Sequence, residues 1–182
     1  MNTRAQDTQR SRVWASAIPR WSRGAWLVIL IADAGLLLWG ALAASIPDRL
    51  PGPGSVAILP AGYEGYTGGS WNQLAATSPE TAGYITLLFR MYSIYIVAFS
   101  LLAIAIAANG FRHGERWAWW VLLVGNTIAF ISAMVYDRIV GAIGPFEVSE
   151  YLGLAAIYGA LAITWRSSAS GEGSGRMVDA SM

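Results

Sequence analysis

The chain has 182 residues, 55% of them hydrophobic, a mean hydropathy of +0.45 and a net charge of only +1. The apolar share exceeds the roughly 45–50% of an ordinary soluble domain and indicates a membrane protein, while the low net charge argues against a nucleic-acid partner. The absence of cysteine excludes disulfides, thiolate nucleophiles and iron–sulfur clusters, and the single histidine, His113, is insufficient for a His-ligated haem or di-metal centre. We therefore expect no cofactor and no metal.

The amino-terminal region predicts a polar arm followed by a first transmembrane helix. Residues 1–24 are rich in arginine and contain no apolar run long enough to cross a bilayer. The apolar stretch at 25–45 has about the 20 residues that a helix needs to span the hydrocarbon core. The sequence ALA at 41–43 suggests a cleaved signal peptide as an alternative. The long polar segment ahead of the apolar stretch, and Asp33 within it, favour a retained helix.

A long connection rich in glycine and proline follows at 46–79. Connections of this length are often functional or disordered. Ser70 and Gln73 have the spacing of a capping box, which predicts a short helix at about 71–76. Trp71 would lie in the headgroup layer, so we expect this helix to lie in the membrane interface.

The second and third predicted transmembrane helices, at about 80–109 and 117–137, form a hairpin joined by a basic turn. Ser78 and Pro79 predict the start of the second helix, because serine is a favoured N-cap and proline a favoured first helical residue. Small residues recur at every fourth position of the third helix and would allow close approach of its hairpin partner. These small residues are Gly125, Ala129 and Ala133.

The fourth predicted helix covers about 147–165, and the Ser/Gly-rich segment 166–182 should be a disordered tail. Arginines concentrate in the amino-terminal arm, in the hairpin turn and at the start of the tail, which the positive-inside rule places in the cytoplasm. The sequence therefore predicts an all-α membrane protein. Its architecture would be a four-helix antiparallel transmembrane bundle with cytoplasmic termini and a long extracytoplasmic loop between the first two helices.

Polar side chains within the predicted transmembrane helices are candidates for function, because a charge in the bilayer costs about 2.5–3.5 kcal/mol on insertion scales. At about 1.5 Å per residue, Asp33 and Asn126 lie at nearly the same depth, which predicts a hydrogen bond between them. Arg90 falls in the outer half, near the acidic residues at the outer helix ends. We predict an outward-facing pocket for an anionic lipid, a quinone or a small metabolite. Its predicted lining is Arg90, Tyr95, Asp137, Glu150, Asp33 and Asn126.

The same residues also allow a structural interpretation. Arg90 with Asp137 or Glu150 would then be a buried ion pair that sets the register of the helices. Glu147 and Glu150, three residues apart, would share one helical face and could serve acid–base chemistry or cation binding. Such a pair also occurs at solvated helix starts.

Three segments resemble a family of small four-span inner-membrane proteins of the high-GC, actinobacterial type, to which no activity is attached. The segments are SWNQLAATSPETAGYITLLFR, FRHGERWAWW and GPFEVSEYLGL. The resemblance covers about residues 25–165, and its most specific pieces are Trp71 with Leu74 and Pro79, Arg90, and the FRxGERWAWW turn. It implies a multi-pass location in the bacterial inner membrane and carries no ligand or functional residue.

Two kinds of function remain open at this point. The first is a helix bundle that binds a lipid or quinone or acts as an accessory subunit. Its partners would be membrane lipids, and it would belong to a homo-oligomer or a larger membrane complex. The second is a membrane-embedded enzyme for a lipid or isoprenoid, with Glu150 or Asp137 as acid–base and Arg90 as electrostatic clamp. A proton-coupled transporter using Asp33 fits less well, because four helices leave little room for alternating access without dimerisation.

Overall fold

The structure is a computed structural model that describes residues 22–52, 57–141 and 145–175. These ranges are helical and contain no β-strand. The α-helices are α1 (Ser22–Ser45), α2 (Ile58–Thr67), α3 (Trp71–Thr77), α4 (Pro79–Asn109), α5 (Arg116–Val140) and α6 (Pro145–Gly175), with a short 3-10 turn at Phe111–His113.

Four of these helices are long and apolar enough to cross a membrane. The segments that meet this criterion are Gly24–Ser45, Pro79–His113, Arg116–Val140 and Val148–Trp165. Only 17–22% of the residues in their most apolar stretches are buried within the protein. Apolar surface of this extent is expected where lipid covers a helix, because soluble proteins rarely expose large apolar patches. The predicted all-α class with four helices of transmembrane length is therefore confirmed.

Close helix packing depends on two glycines. α1 makes its most extensive contact with α4 and also contacts α6, while α5 contacts both α4 and α6. A Cβ atom on Gly40 of α1 would lie 3.2 Å from the Ser93 carbonyl oxygen and 3.0 Å from the Ile96 side chain. A Cβ on Gly125 of α5 would lie 3.3 Å from the Phe99 ring of α4. The predicted small-residue stripe on α5 thus meets its hairpin partner at Gly125.

A buried apolar cluster joins all four long helices. Its members are Ala25, Ile29, Ala103, Ala107, Phe111, Ala118, Leu122, Phe130, Ile157, Ala160 and Leu161. Because lipid tails are as apolar as these side chains, van der Waals packing stabilises such a cluster in a membrane more than exclusion of water does. The alanines contribute by allowing the helix backbones to approach one another.

The connection between α1 and α4 contains two helices. α3 coincides with the short helix predicted at about 71–76, and Ser70 Oγ accepts a hydrogen bond from the Gln73 amide at 3.4 Å, as a capping serine does. The Glu64 carboxylate accepts a hydrogen bond from the Trp71 amide at 3.0 Å, and the Tyr63 and Trp71 rings meet edge to face. These contacts join α3 to α2, a helix that the sequence pattern did not indicate.

The structure differs from the sequence predictions at two helix ends. Ser78 precedes α4 as expected, but its side chain makes no capping hydrogen bond. α6 continues past 165 to Gly175, whereas we predicted a disordered tail from residue 166. The helix continues although Gly171, Gly173 and Gly175 are poor helix formers, because 166–175 contains no proline to interrupt its backbone hydrogen bonds. Residues 1–21 of the arm predicted at 1–24, and the last residues, 176–182, lie outside the described ranges.

Candidate functional site

A cavity of about 690 Å³ lies between α2, α4, α5 and α6. Its volume is within the range of small-molecule sites, about 300–1,000 Å³. Most of its wall is apolar or aromatic, including Trp39 of α1. The polar groups of the wall include two carboxyl groups and several tyrosine side chains. These residues are Asp137, Glu150, Tyr63, Tyr66, Tyr92 and Tyr136.

α2 forms one side of the cavity and lies directly against the end of α5. A Cβ atom on Gly65 would collide with the carbonyl oxygen of Val140, and one on Gly62 would lie 3.3 Å from the Tyr136 hydroxyl. Only glycine allows the two backbones to come this close. The position of α2, and of the tyrosines that it carries, therefore depends on Gly65.

The two carboxyl groups reach the cavity from different helices. Asp137 lies in the last turn of α5, and Glu150 lies near the start of α6. Gly141 ends α5 in the left-handed conformation, with φ of 71°. Such a glycine cap lets the chain leave a helix sharply, so α6 can begin beside the end of α5. Both side chains are half-buried at the cavity wall.

Of the six predicted site residues, the structure brings only Asp137 and Glu150 to the cavity. Arg90 and Tyr95 are exposed on α4 and do not line it. The cavity-lining residues of α4 are Ile85, Leu88, Phe89 and Tyr92. Their spacing marks one helical face, and Arg90 points to a different one. The prediction that Arg90 faces Asp137 and Glu150 used only the depth of these residues in the membrane. It did not include the direction in which each side chain points around its helix axis.

Asp33 and Asn126 are fully buried at a place separate from the cavity. The hydrogen bond that we predicted between them is not formed. Asn126 Nδ2 instead donates to the Leu122 carbonyl oxygen of its own helix at 3.0 Å. Within the described residues, Asn126 Oδ1 and both Asp33 carboxyl oxygens have no hydrogen-bond partner.

Sequence reasoning missed the tyrosines of the cavity wall. Tyr92 could have been found from the helical spacing of the α4 residues, since it continues the face of Phe89. Tyr63 and Tyr66 could not be placed from the sequence, because they belong to α2, a helix that the sequence pattern does not indicate. Ser100 was also missed, and its fully buried hydroxyl has no partner within the described residues. A serine in an apolar helix commonly bonds to a carbonyl of its own helix, so its sequence position gave no signal.

The described residues include no group of three or more His, Asp or Glu side chains placed to hold a metal ion. Comparisons with protein-family models, with curated proteins and with solved structures found no match. The geometry of the cavity is consequently the basis on which a function can be argued.

Proposed function

We propose that the protein is a multi-pass protein of the bacterial inner membrane that binds a small amphiphilic molecule in the cavity between α2, α4, α5 and α6. The observation that carries this proposal is the cavity itself, which combines an apolar wall with a few polar groups. Ligand sites in proteins have this composition, with apolar surface for affinity and a few polar groups for orientation.

We propose further that the long helices form an antiparallel bundle with both termini in the cytoplasm. Contacts near both ends of α1 support the opposite directions of α1 and α4. Gly40, late in α1, meets Ser93, whereas the Trp26 ring, early in α1, lies 5.0 Å from the guanidinium carbon of Arg112, just past the end of α4. The arginine pattern supports a cytoplasmic turn between α4 and α5. The cavity, at the other end of these helices, would then face the outside.

The polar groups of the cavity favour a neutral or cationic head group over an anionic one. The described part of the wall contains the carboxyl groups of Asp137 and Glu150 and no arginine. A lipophilic cation could interact with these carboxyl groups and with the tyrosine rings, which attract cations at their faces. A quinone could accept hydrogen bonds from the tyrosine hydroxyls. An anionic lipid, part of our sequence-based expectation, would have its head group next to like charges.

The alternative of an enzyme acting on a lipid or isoprenoid uses the same cavity. Asp137 and Glu150 both line it, so either could act as general acid or base on a bound substrate. The electrostatic clamp proposed for this reaction, Arg90, lies outside the cavity. Binding is therefore the better-supported function, and conversion of the ligand would be an additional property of the same site.

Binding can be tested with the purified full-length protein in detergent. We would titrate it with tetraphenylphosphonium, as a lipophilic cation, and separately with a short-chain quinone, following tryptophan fluorescence, to which Trp39 of the cavity wall contributes. Replacing Asp137 with Asn or Glu150 with Gln should weaken cation binding about tenfold or more. Each substitution removes a negative charge, and two opposite unit charges about 8 Å apart at an effective dielectric constant of about 20 attract each other by about 2 kcal/mol. Quinone binding should change less.

Two control variants make the test specific. Glu80→Gln removes an exposed carboxyl group at the start of α4, outside the cavity, and should leave both affinities unchanged. Ala133→Trp should obstruct the cavity and abolish binding of both probes, since Ala133 lines its wall. Unchanged binding to Ala133→Trp would place the ligand elsewhere and refute the proposal.

A further inference from the structure

Among the fully buried polar side chains of the described residues, three have oxygen atoms without a hydrogen-bond partner, one each on α1, α4 and α5. They are Asp33, Ser100 and Asn126, each with 0% of its surface exposed. Both carboxyl oxygens of Asp33, the Ser100 hydroxyl oxygen and the Asn126 amide oxygen have no hydrogen-bond partner among the described residues. None of the three residues lines the cavity described above.

The packing of α1 on α4 brings Asp33 and Ser100 to the same level. Gly40 meets Ser93, and seven residues, about two helical turns, separate Asp33 from Gly40 and Ser93 from Ser100. α1 and α4 run in opposite directions where they contact each other. The step back from Gly40 to Asp33 and the step forward from Ser93 to Ser100 therefore lead toward the same end of the bundle. Two turns also return each side chain to nearly the same helical face.

Asn126 joins this level from α5. Its neighbour Gly125 packs against Phe99, the residue before Ser100. Leu122 and Phe130, one turn on either side of Asn126, both belong to the buried cluster that joins the four helices. Asn126 therefore faces the interior of the bundle at the level of Ser100.

The oxygen atoms of Asp33, Ser100 and Asn126 provide more hydrogen-bond acceptors than the nearby described residues supply donors for. One Asn126 amide hydrogen is used within its own helix, by the Leu122 carbonyl oxygen. A buried donor or acceptor without a partner costs about 1–3 kcal/mol, so several unpartnered oxygens at one level require a compensating positive or hydrogen-donating group. Carboxylate, hydroxyl and amide oxygens are the ligands that hard cations prefer.

We propose that Asp33, Ser100 and Asn126 bind a small monovalent cation of the Na⁺ class in the interior of the bundle. The single carboxylate of Asp33 matches one positive charge, and the hydroxyl of Ser100 and the amide oxygen of Asn126 complete the coordination together with water. An ionisable residue buried in a membrane domain is commonly a site of ion binding or proton movement, because an uncompensated charge there is costly. This site is independent of the ligand proposed for the cavity.

The test is the thermal stability of the full-length protein in detergent, measured in NaCl and in choline chloride at equal ionic strength and pH. A ligand that binds only the folded state raises the unfolding midpoint as its concentration increases. We expect NaCl to raise Tm by about 5 °C at a concentration about ten times its Kd, and choline chloride to have no such effect. Equal Tm values in the two salts would overturn the proposal. They would mean that water, or a proton on Asp33, satisfies the buried oxygen atoms in place of a cation.

Variants then assign the response to these residues. Asp33→Asn and Ser100→Ala should each abolish or strongly weaken the Na⁺-dependent rise in Tm. Ser93→Ala is the matched control, because Ser93 is also fully buried on α4 but its hydroxyl donates to the Phe89 carbonyl oxygen at 2.8 Å. If Asp33→Asn does not fold, Ser100→Ala provides the assignment. Loss of the Na⁺ response in Ser93→Ala, or its retention in Ser100→Ala, would overturn the proposed site.

Discussion

Arg90 has a different environment in the structure from the one that its sequence position predicts. Its depth in α4 suggested an ion pair with the acidic residues at the helix ends. In the structure it is exposed on the surface of α4, away from the cavity wall. A long arginine side chain on a lipid-facing surface can extend its guanidinium group toward the membrane interface while its aliphatic part stays among apolar groups.

Replacement of Arg90 with Met should therefore have little effect on stability. Substitution of an exposed surface residue usually changes the free energy of unfolding by less than about 0.5 kcal/mol. The midpoint of unfolding in detergent should stay within about 2 °C of the unaltered protein. A loss of folded protein or a much larger decrease in Tm would instead support a structural ion pair of Arg90 with Asp137 or Glu150.

A hydrogen bond between two side chains links α5 to α6. The Thr127 hydroxyl and the Tyr158 hydroxyl are 2.7 Å apart, and the Thr127 hydroxyl also donates to the Leu123 carbonyl oxygen at 2.6 Å. Hydrogen bonds between helices in membrane proteins are worth about 0.6 kcal/mol on average and up to about 1.7 kcal/mol. The contribution of this hydrogen bond should lie within that range.

Tyr158→Phe removes this hydrogen bond while keeping the aromatic ring. We expect a decrease of about 0.6–1.7 kcal/mol in the free energy of unfolding, measured by denaturant titration. Tyr84→Phe serves as the control, because Tyr84 is 61% exposed on α4. Equal effects of the two substitutions would show that the hydrogen bond contributes nothing measurable.

At the scale of the helices, the position of α2 connects the loop to the cavity. Gly65 brings the α2 backbone against the end of α5, and the Glu64 carboxylate holds the start of α3. Two of the cavity tyrosines, Tyr63 and Tyr66, lie on α2. The cavity is therefore closed on the side of Tyr63 and Tyr66 only when α2 packs against the end of α5.

Gly65→Ala should displace α2 from α5, because the added methyl group would collide with the Val140 carbonyl oxygen. We expect faster cleavage of the 46–79 segment in limited proteolysis and weaker binding of both cavity probes. Gly83→Ala is the control, since nothing lies within 4 Å of a Cβ at Gly83 on α4. It should be neutral or stabilising by up to about 1 kcal/mol, because alanine is the better helix former. Identical proteolysis of the two variants would contradict the proposed role of α2.

At the opposite end of α5, aromatic rings join it to α6. The Trp119 ring centroid lies 4.8 Å from that of Trp120 and 4.9 Å from that of Trp165, and Trp119 Nε1 donates to the Leu161 carbonyl oxygen at 2.9 Å. Indole rings with one polar edge favour the membrane interface. This cluster suits a location at the cytoplasmic interface of the proposed topology.

At the scale of the whole molecule, the proposed topology places the aromatic cluster and the cavity on opposite sides of the membrane. The turn between α4 and α5 carries Arg112, whose guanidinium carbon lies 5.0 Å from the ring centroid of Trp26 at the start of α1. The starts of α1 and α5 and the end of α4 thus come together at one end. The exposed apolar surface along the helices would face lipid.

Reporter fusions test this topology. A fluorescent protein fused to the carboxyl terminus should fold and fluoresce, and alkaline phosphatase at the same position should be inactive, because the terminus is predicted to be cytoplasmic. Alkaline phosphatase inserted at Gly68, between α2 and α3, should be active. The reverse pattern at both positions would show that the protein has the opposite orientation.

The four apolar helices could be predicted from the sequence because hydrophobicity and length are local properties of each segment. Ser70 and Gln73 likewise predicted α3 from neighbouring residues alone. Only the tertiary structure decided which helix faces meet, since rotation and docking depend on packing between distant segments. Arg90 was thereby placed outside the cavity, Tyr63 and Tyr66 at its wall, and Asp33 and Asn126 in the interior without the hydrogen bond predicted between them.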